Sequence, residues 1–187
     1  MSACAETAAA ALSQSWPDQI FDVLESFAVR LVPYVPDGGH ERLIARVNAS
    51  ASMRGIPLTS EEEGIALSAG AWLGGEPAVM LMQSSGVGNC INMLSLTRIC
   101  RFPLLVLVTM RGEWGEFNPW QVPMGSAVEA AFGLMDVECL RADRPEEVEE
   151  TVRHAATMAF GGGSAVAVLL SQRLIGAKVF AAKEDAR

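Results

Sequence analysis

The stretch Leu104-Leu105-Val106-Leu107-Val108-Thr109 decides the fold. Its first five residues are apolar without alternation, so neither face of such a strand can look at water. A strand of this kind belongs in the middle of a parallel sheet covered by helices on both sides. Residues 78–82 and 165–170 are two more short apolar runs of the same character. Working outward, helix-like and strand-like segments alternate. Ser15 caps a helix with Pro17 in its first turn, and Ile20, Phe21, Leu24, Phe27 and Ala28 keep helical spacing. Residues 31–35 read as a strand that Pro36-Asp37-Gly38-Gly39 ends. A helix is expected over 41–50, a strand over 56–58, and a helix from the cap at Thr59 or Ser60 to about Leu73, where Gly74-Gly75 stops it. After the strand at 78–82, residues 84–89 read as a turn into a helix over 90–100. Beyond the deciding strand come a loop at 111–120, a helix over 122–132, a strand over 137–140, a helix from Pro145 to about Phe160 and the last strand at 165–170. This order predicts an α/β fold: a doubly wound, mainly parallel six-stranded sheet with helices on both faces. Ligands of such sheets bind beyond the carboxyl ends of the strands, which singles out loops 36–40, 59–61, 83–89 and 111–121.

The 187 residues suit a single domain, expected over 15–187 behind a flexible tail at 1–14. Half of the residues are hydrophobic and 19% are charged, enough to build a core. A net charge of -8 with no run of Lys or Arg argues against nucleic-acid binding. Cys4, Cys90, Cys100 and Cys139 form no C-x-x-C pair, and with only His40 and His154 no metal-ligand spacing arises. Free thiols fit a reducing compartment. The first fifteen residues lack the basic start of a signal peptide, and the run 102–110 is too short to cross a bilayer. A cytoplasmic protein without a membrane span is expected.

Several residues could carry chemistry. Gln83-Ser84-Ser85-Gly86-Val87-Gly88-Asn89 is glycine-rich and leads into a helix, which lets backbone approach a ligand. It lacks the Gly-Lys-Ser/Thr of a P-loop and the third glycine of a dinucleotide fingerprint, so alone it is a strand-to-helix turn. Glu61 stands where a strand ends and a helix begins. Together with Glu62 and Glu63 it could simply favour the helix dipole. His40, near the end of the first strand, could supply a proton or meet a substrate carboxylate, or be a solvated loop histidine. Arg111 could pair with an anionic substrate or anchor its loop to Glu113 or Glu116. Trp114 and Trp120 could cover a site or face another subunit.

In combination these segments resemble a known family. Glu61, followed by Gly70 inside Ala69-Gly70-Ala71-Trp72, resembles the activating-glutamate helix of thiamine-diphosphate enzymes. The apolar run 78–82 with Gln83 to Asn89 is similar to the adjoining loop of sulfopyruvate and phosphonopyruvate decarboxylases. Pro36-Asp37-Gly38 resembles their first substrate-side loop, and Phe102-Pro103-Leu104 through Arg111-Gly112-Glu113 continues in register. The resemblance spans roughly residues 15–180. It implies the pyrimidine-binding alpha subunit of a 2-oxo acid decarboxylase, releasing CO2 and an aldehyde. Glu61 would hydrogen-bond the aminopyrimidine of thiamine diphosphate. Gln83, Ser85, Gly86, Gly88 and Asn89 would line the cofactor, with Asp37, Gly38, Arg111, Trp120 and Gln121 toward the substrate. No Gly-Asp-Gly occurs in the chain, so the resemblance implies a separate diphosphate-binding beta subunit that carries this motif and Mg2+, in a hetero-oligomer. Relatives usually read Pro-Gln-His where this chain reads Pro119-Trp120-Gln121. That departure makes an apolar or aromatic 2-oxo acid an alternative to a sulfopyruvate-like one. A carboligating subunit and a non-catalytic interaction subunit remain further alternatives.

Overall fold

The computed structural model describes residues 15–176. The tail expected over 1–14 and the end of the chain lie outside these residues. Six strands, β1 (Leu31–Tyr34), β2 (Arg54–Pro57), β3 (Val79–Gln83), β4 (Leu104–Thr109), β5 (Glu138–Ala142) and β6 (Ala165–Leu170), form one sheet in the order β2-β1-β3-β4-β6-β5. Every pairing is parallel. The helices are α1 (Trp16–Ser26), α2 (Glu41–Ala49), α3 (Glu61–Leu73), α4 (Ser84–Cys100), α5 (Gln121–Leu134), α6 (Pro145–Ala156) and a short α7 (Gln172–Ile175).

β4 sits between β3 and β6, and all six of its residues are buried. Its side chains divide between two cores, as alternation along a strand demands. Leu105 and Leu107 join Ile20, Leu24, Leu43, Val47, Val148 and Val152 of α1, α2 and α6. Leu104, Val106 and Val108 join Ile65, Val87, Leu94, Val128 and Phe132 of α3, α4 and α5. The doubly wound sheet and its fully buried central strand follow from this sequence pattern.

Several boundaries differ from the sequence expectation: β2 is Arg54–Pro57 rather than 56–58 and β5 is Glu138–Ala142 rather than 137–140, and three larger differences involve helices. The segment 84–89 is no turn: α4 begins at Ser84 directly after β3. Its two glycines, Gly86 and Gly88, lie within the helix, where a Cβ would meet Glu61 and Met124 respectively. α6 runs into a single π-type turn, Thr157–Gly161, before the chain reaches β6. The residues after β6 fold into α7, whose cap Ser171 accepts a hydrogen bond from the Arg173 backbone N–H at 3.2 Å.

Among the described residues, no helix is long and apolar enough to cross a membrane, and no cluster of His, Cys, Asp or Glu has metal-binding geometry.

Candidate functional site

The carboxyl ends of β1, β3 and β4 meet the first turns of α3 and α4. The consecutive glutamates separate here. The Glu63 carboxylate accepts the Thr59 backbone N–H at 2.9 Å, and Glu62 accepts the Ser60 hydroxyl at 2.9 Å. These two exposed side chains complete the turn into α3, which suits carboxylates at a helix N-terminus. Glu61 points inward and is 8% exposed. Its Oε2 accepts Asn89 Nδ2 from α4 at 2.7 Å. Its Oε1 has no donor among the described residues. A Cβ at Gly86 would stand 2.5 Å from Glu61 Cδ and Oε1. Glycine is therefore required at 86 for the glutamate to lie flat against α4. Cys90, one turn further along, is buried beneath. Burial first, then the charges of Glu61 and Glu62, push its thiol up to about 12.

A second polar chain runs along the strand ends. Asp37 Oδ2 accepts the Thr109 hydroxyl at 2.6 Å and the Gly39 backbone N–H at 3.0 Å. Its Oδ1 accepts Gln83 Nε2 at 2.9 Å, and Gln83 Oε1 in turn accepts the Ser85 hydroxyl at 2.9 Å. Burial works against the Asp37 charge, yet the donors from Thr109, Gln83 and Gly39 outweigh it and lower its pKa. Gly39 allows the close approach, since a Cβ there would meet Thr109 and Asp37 at 2.8 and 2.9 Å.

His40 needs correction, and for Arg111 the structure shows the loop anchor, one of the two alternatives open in the sequence. His40 is 1% exposed, so it is neither a solvated loop residue nor open to a substrate. Its Nε2 lies 3.1 Å from the Leu107 carbonyl of β4, while Nδ1 is buried without a partner. Burial first pushes its pKa below the ordinary value, although Asp37 and the backbone carbonyls of Leu107 and Met82 pull the other way. A neutral ring donating Nε2–H to Leu107 braces β1 against β4. Arg111 is anchored to its loop. Nε and Nη2 donate to Glu116 Oε2 and Oε1 at 2.7 and 2.6 Å. Glu116 also accepts the backbone N–H groups of Gly112 and Asn118 and the Gln172 amide. Arg111 foremost holds the Glu116 carboxyl far below the usual carboxylate range.

The rest of the expected set is spread around this rim. Gly38 is exposed in the turn after β1. Gly88 lies on the outer side of α4, where a Cβ would approach Met124 Sδ to 3.1 Å. Trp120 is 76% exposed at the cap of α5, and half-buried Gln121 opens that helix. Thus Glu61, Gly86 and Asn89 form one cluster, and Asp37, Gln83 and Ser85 another, joined through the first turn of α4. Thr109 and Gln172 were missed. Thr109 had a legible signal, a hydroxyl closing an otherwise apolar strand at the ligand end of the sheet. Gln172 had none, because it follows the last expected strand and belongs to no motif.

Residues 15–118 match the family described as thiamine pyrophosphate enzyme, N-terminal TPP binding domain. The chain belongs to this family. Among relatives of this thiamine pyrophosphate enzyme domain is the sulfopyruvate decarboxylase subunit alpha of Methanococcus maripaludis, 29% identical over 154 residues, which are 82% of this chain and 92% of that protein. The phosphonopyruvate decarboxylase of Streptomyces hygroscopicus is 38% identical over 126 residues, 66% of this chain but only 31% of that longer protein. The same fold occurs in a 2-oxoglutarate:ferredoxin oxidoreductase from Magnetococcus marinus, with a TM-score of 0.69 at 15% identity, covering 87% of this chain and 29% of that one.

Proposed function

We propose that this chain is the pyrimidine-binding alpha subunit of a two-chain thiamine-diphosphate-dependent 2-oxo acid decarboxylase that releases CO2 and an aldehyde. The single observation that carries this reading is the Glu61 carboxylate, clamped on one oxygen by Asn89 and laid against Gly86, with its other oxygen free to accept. That arrangement fits a ring-nitrogen donor: the acceptor is fixed in place, partly desolvated, and backed by a glycine that keeps the wall flat. The likeness to a subunit named alpha over nearly its whole length supports the two-chain form.

Thiamine diphosphate, when bound, supplies the electron sink that decarboxylation of a 2-oxo acid requires and no side chain can provide. This chain's residues supply orientation and proton control. Glu61 would accept a hydrogen bond from the pyrimidine ring nitrogen, Asn89 holds Glu61 in place through its 2.7 Å hydrogen bond, and Gly86 and Ser85 lie in the same first turn of α4. The Asp37–Gln83–Ser85 chain sets the polar wall toward the substrate, with Gly38, Trp120 and Gln121 at its rim. His40 stays outside the chemistry as a brace. In this reading diphosphate and Mg2+ are held by a beta subunit that carries Gly-Asp-Gly.

Co-expression with a candidate Gly-Asp-Gly chain, followed by CO2 measurement with thiamine diphosphate, magnesium and a panel of 2-oxo acids, tests the proposal. Release that needs both chains is the expected result. A stable cofactor-loaded complex that releases no CO2 and instead joins two carbonyl compounds would reassign the chain to carboligation.

A further inference from the structure

We propose that the C-terminal ends of α3, α4 and α5 form a surface on which a second copy of this chain docks. The proposal stands on the surface itself and is independent of the decarboxylase reading.

The two helix layers on the sheet differ in charge. α1, α2 and α6 carry acidic and basic side chains along their outer faces. α3 has no charged residue beyond its first turn, α4 has only Arg98 and α5 only Glu129. Among the described residues, every exposed large hydrophobic side chain lies in this second layer or in the loop leading into α5, and none lies on α1, α2 or α6. They fall into two groups. Trp114, Phe117, Trp120 and Val122 lie toward the carboxyl ends of the strands. Leu73, Ile99 and Leu134, 79%, 80% and 72% exposed, stand in the last turns of the three helices. At 1.5 Å of rise per residue, the length of α3 and α4 sets this second group roughly 20 Å from the Glu61 end. It is no part of the Glu61 site. The three ends adjoin one another. The Trp72 ring lies against Phe102, just past α4, with centroids 6.5 Å apart. Arg98, in the last turn of α4, pairs with Asp136, just past α5, at 2.9 Å.

Three features fit a copy of the same chain. The first is shape. Trp72, Pro77, Pro103 and Phe160 wall a hollow, and Leu73 projects beside it. A knob next to a hollow on one face suits a two-fold contact, because each copy offers what the other accepts. The second is charge. The rim of the surface carries both signs, Arg98 and Arg101 with Glu76 and Asp136, all exposed, so it can meet itself without like charges being forced together. The third is a pair of glycines. Gly70 and Gly133 lie in the last turns of α3 and α5, where glycine costs helix stability relative to alanine. A Cβ at either would meet no atom of the described residues within 4 Å. Nothing within the chain requires them, and the close approach of a neighbouring backbone does.

Sedimentation velocity of the full-length chain over a range of concentrations tests the proposal. The expected result is a reversible dimer. Leu73→Glu and Ile99→Glu should each weaken its association constant at least about tenfold, the effect of losing an interface anchor. Melting of the dilute chain should stay unchanged, because both side chains are exposed. Gly70→Ala should raise the melting temperature of the dilute chain and weaken the dimer, a combination that a purely internal role would not give. Val122→Glu, at the other end of the layer, should leave association as it is. A chain that stays monomeric at every concentration overturns the proposal. Association that survives both Leu73→Glu and Ile99→Glu, or is lost on Val122→Glu instead, places the contact elsewhere and overturns it too. Neither outcome bears on the decarboxylase reading, which CO2 release tests.

Discussion

A single absent Cβ governs the orientation of the carboxylate on which the proposed chemistry depends. Gly86→Ala improves helix propensity by about 1 kcal/mol in principle, but the new methyl would collide with Glu61 at 2.5 Å. The expected outcome is that Glu61 turns away to relieve the overlap and the reconstituted enzyme loses at least about tenfold in kcat, on the scale of a misplaced catalytic group. Asn89→Ala should act in the same direction through loss of the 2.7 Å hydrogen bond. At this scale the sequence was partly legible. Glu61, Gly86 and Asn89 could be singled out through resemblance to a family, whereas their mutual contact depends on α4 beginning at Ser84, which two glycines within six residues concealed. His40 was misjudged because a histidine after Gly38-Gly39 looks exposed, and only the placement of β4 beneath it shows that it is sealed.

The loop after β4 is held as an element by one buried ion pair. Removing one partner leaves a charge enclosed without compensation, so Glu116→Gln should cost about 3 kcal/mol, while adding Arg111→Met to it, which removes the stranded charge and leaves an amide oxygen for the Gly112 and Asn118 N–H groups, should recover much of that loss. Denaturant midpoints of the parent and the two variants would measure this, and equal cost in the single and double variants would contradict it. The tight seat of the loop has a second cause. Gly112 has φ +79°, and a Cβ on Gly112 or Gly125 would run into the backbone of the facing segment. Alternation of strands and helices was readable from apolar runs alone, because a strand buried on both faces leaves an unmistakable pattern at 104–109. The commitment of Arg111 to Glu116 was not readable, since two glutamates lie within reach in sequence and a substrate was an equal claimant.

For the molecule as a whole, acidity reports on the buried histidine. Burial pushes the His40 pKa below its ordinary value of 6.5, so in the unfolded chain it takes up a proton near pH 6.5 while the folded chain resists. Its contribution is constant above that pH, and stability falls as pH drops below it, by up to about 1.4 kcal/mol per unit. Urea midpoints at pH 7.5 and 5.5 should therefore differ more for the parent than for His40→Gln. The window lies above the range where the Glu116 carboxylate titrates, so the two effects stay separate. The order of the sheet and its two cores were legible in outline from the sequence. The most direct test of the central claim is CO2 release by the reconstituted pair carrying Glu61→Gln, with Glu62→Gln as control. Glu61→Gln should lose about a hundredfold or more in rate with unchanged melting, and Glu62→Gln should keep near-parental activity; retention of most activity by Glu61→Gln would contradict the role assigned to Glu61.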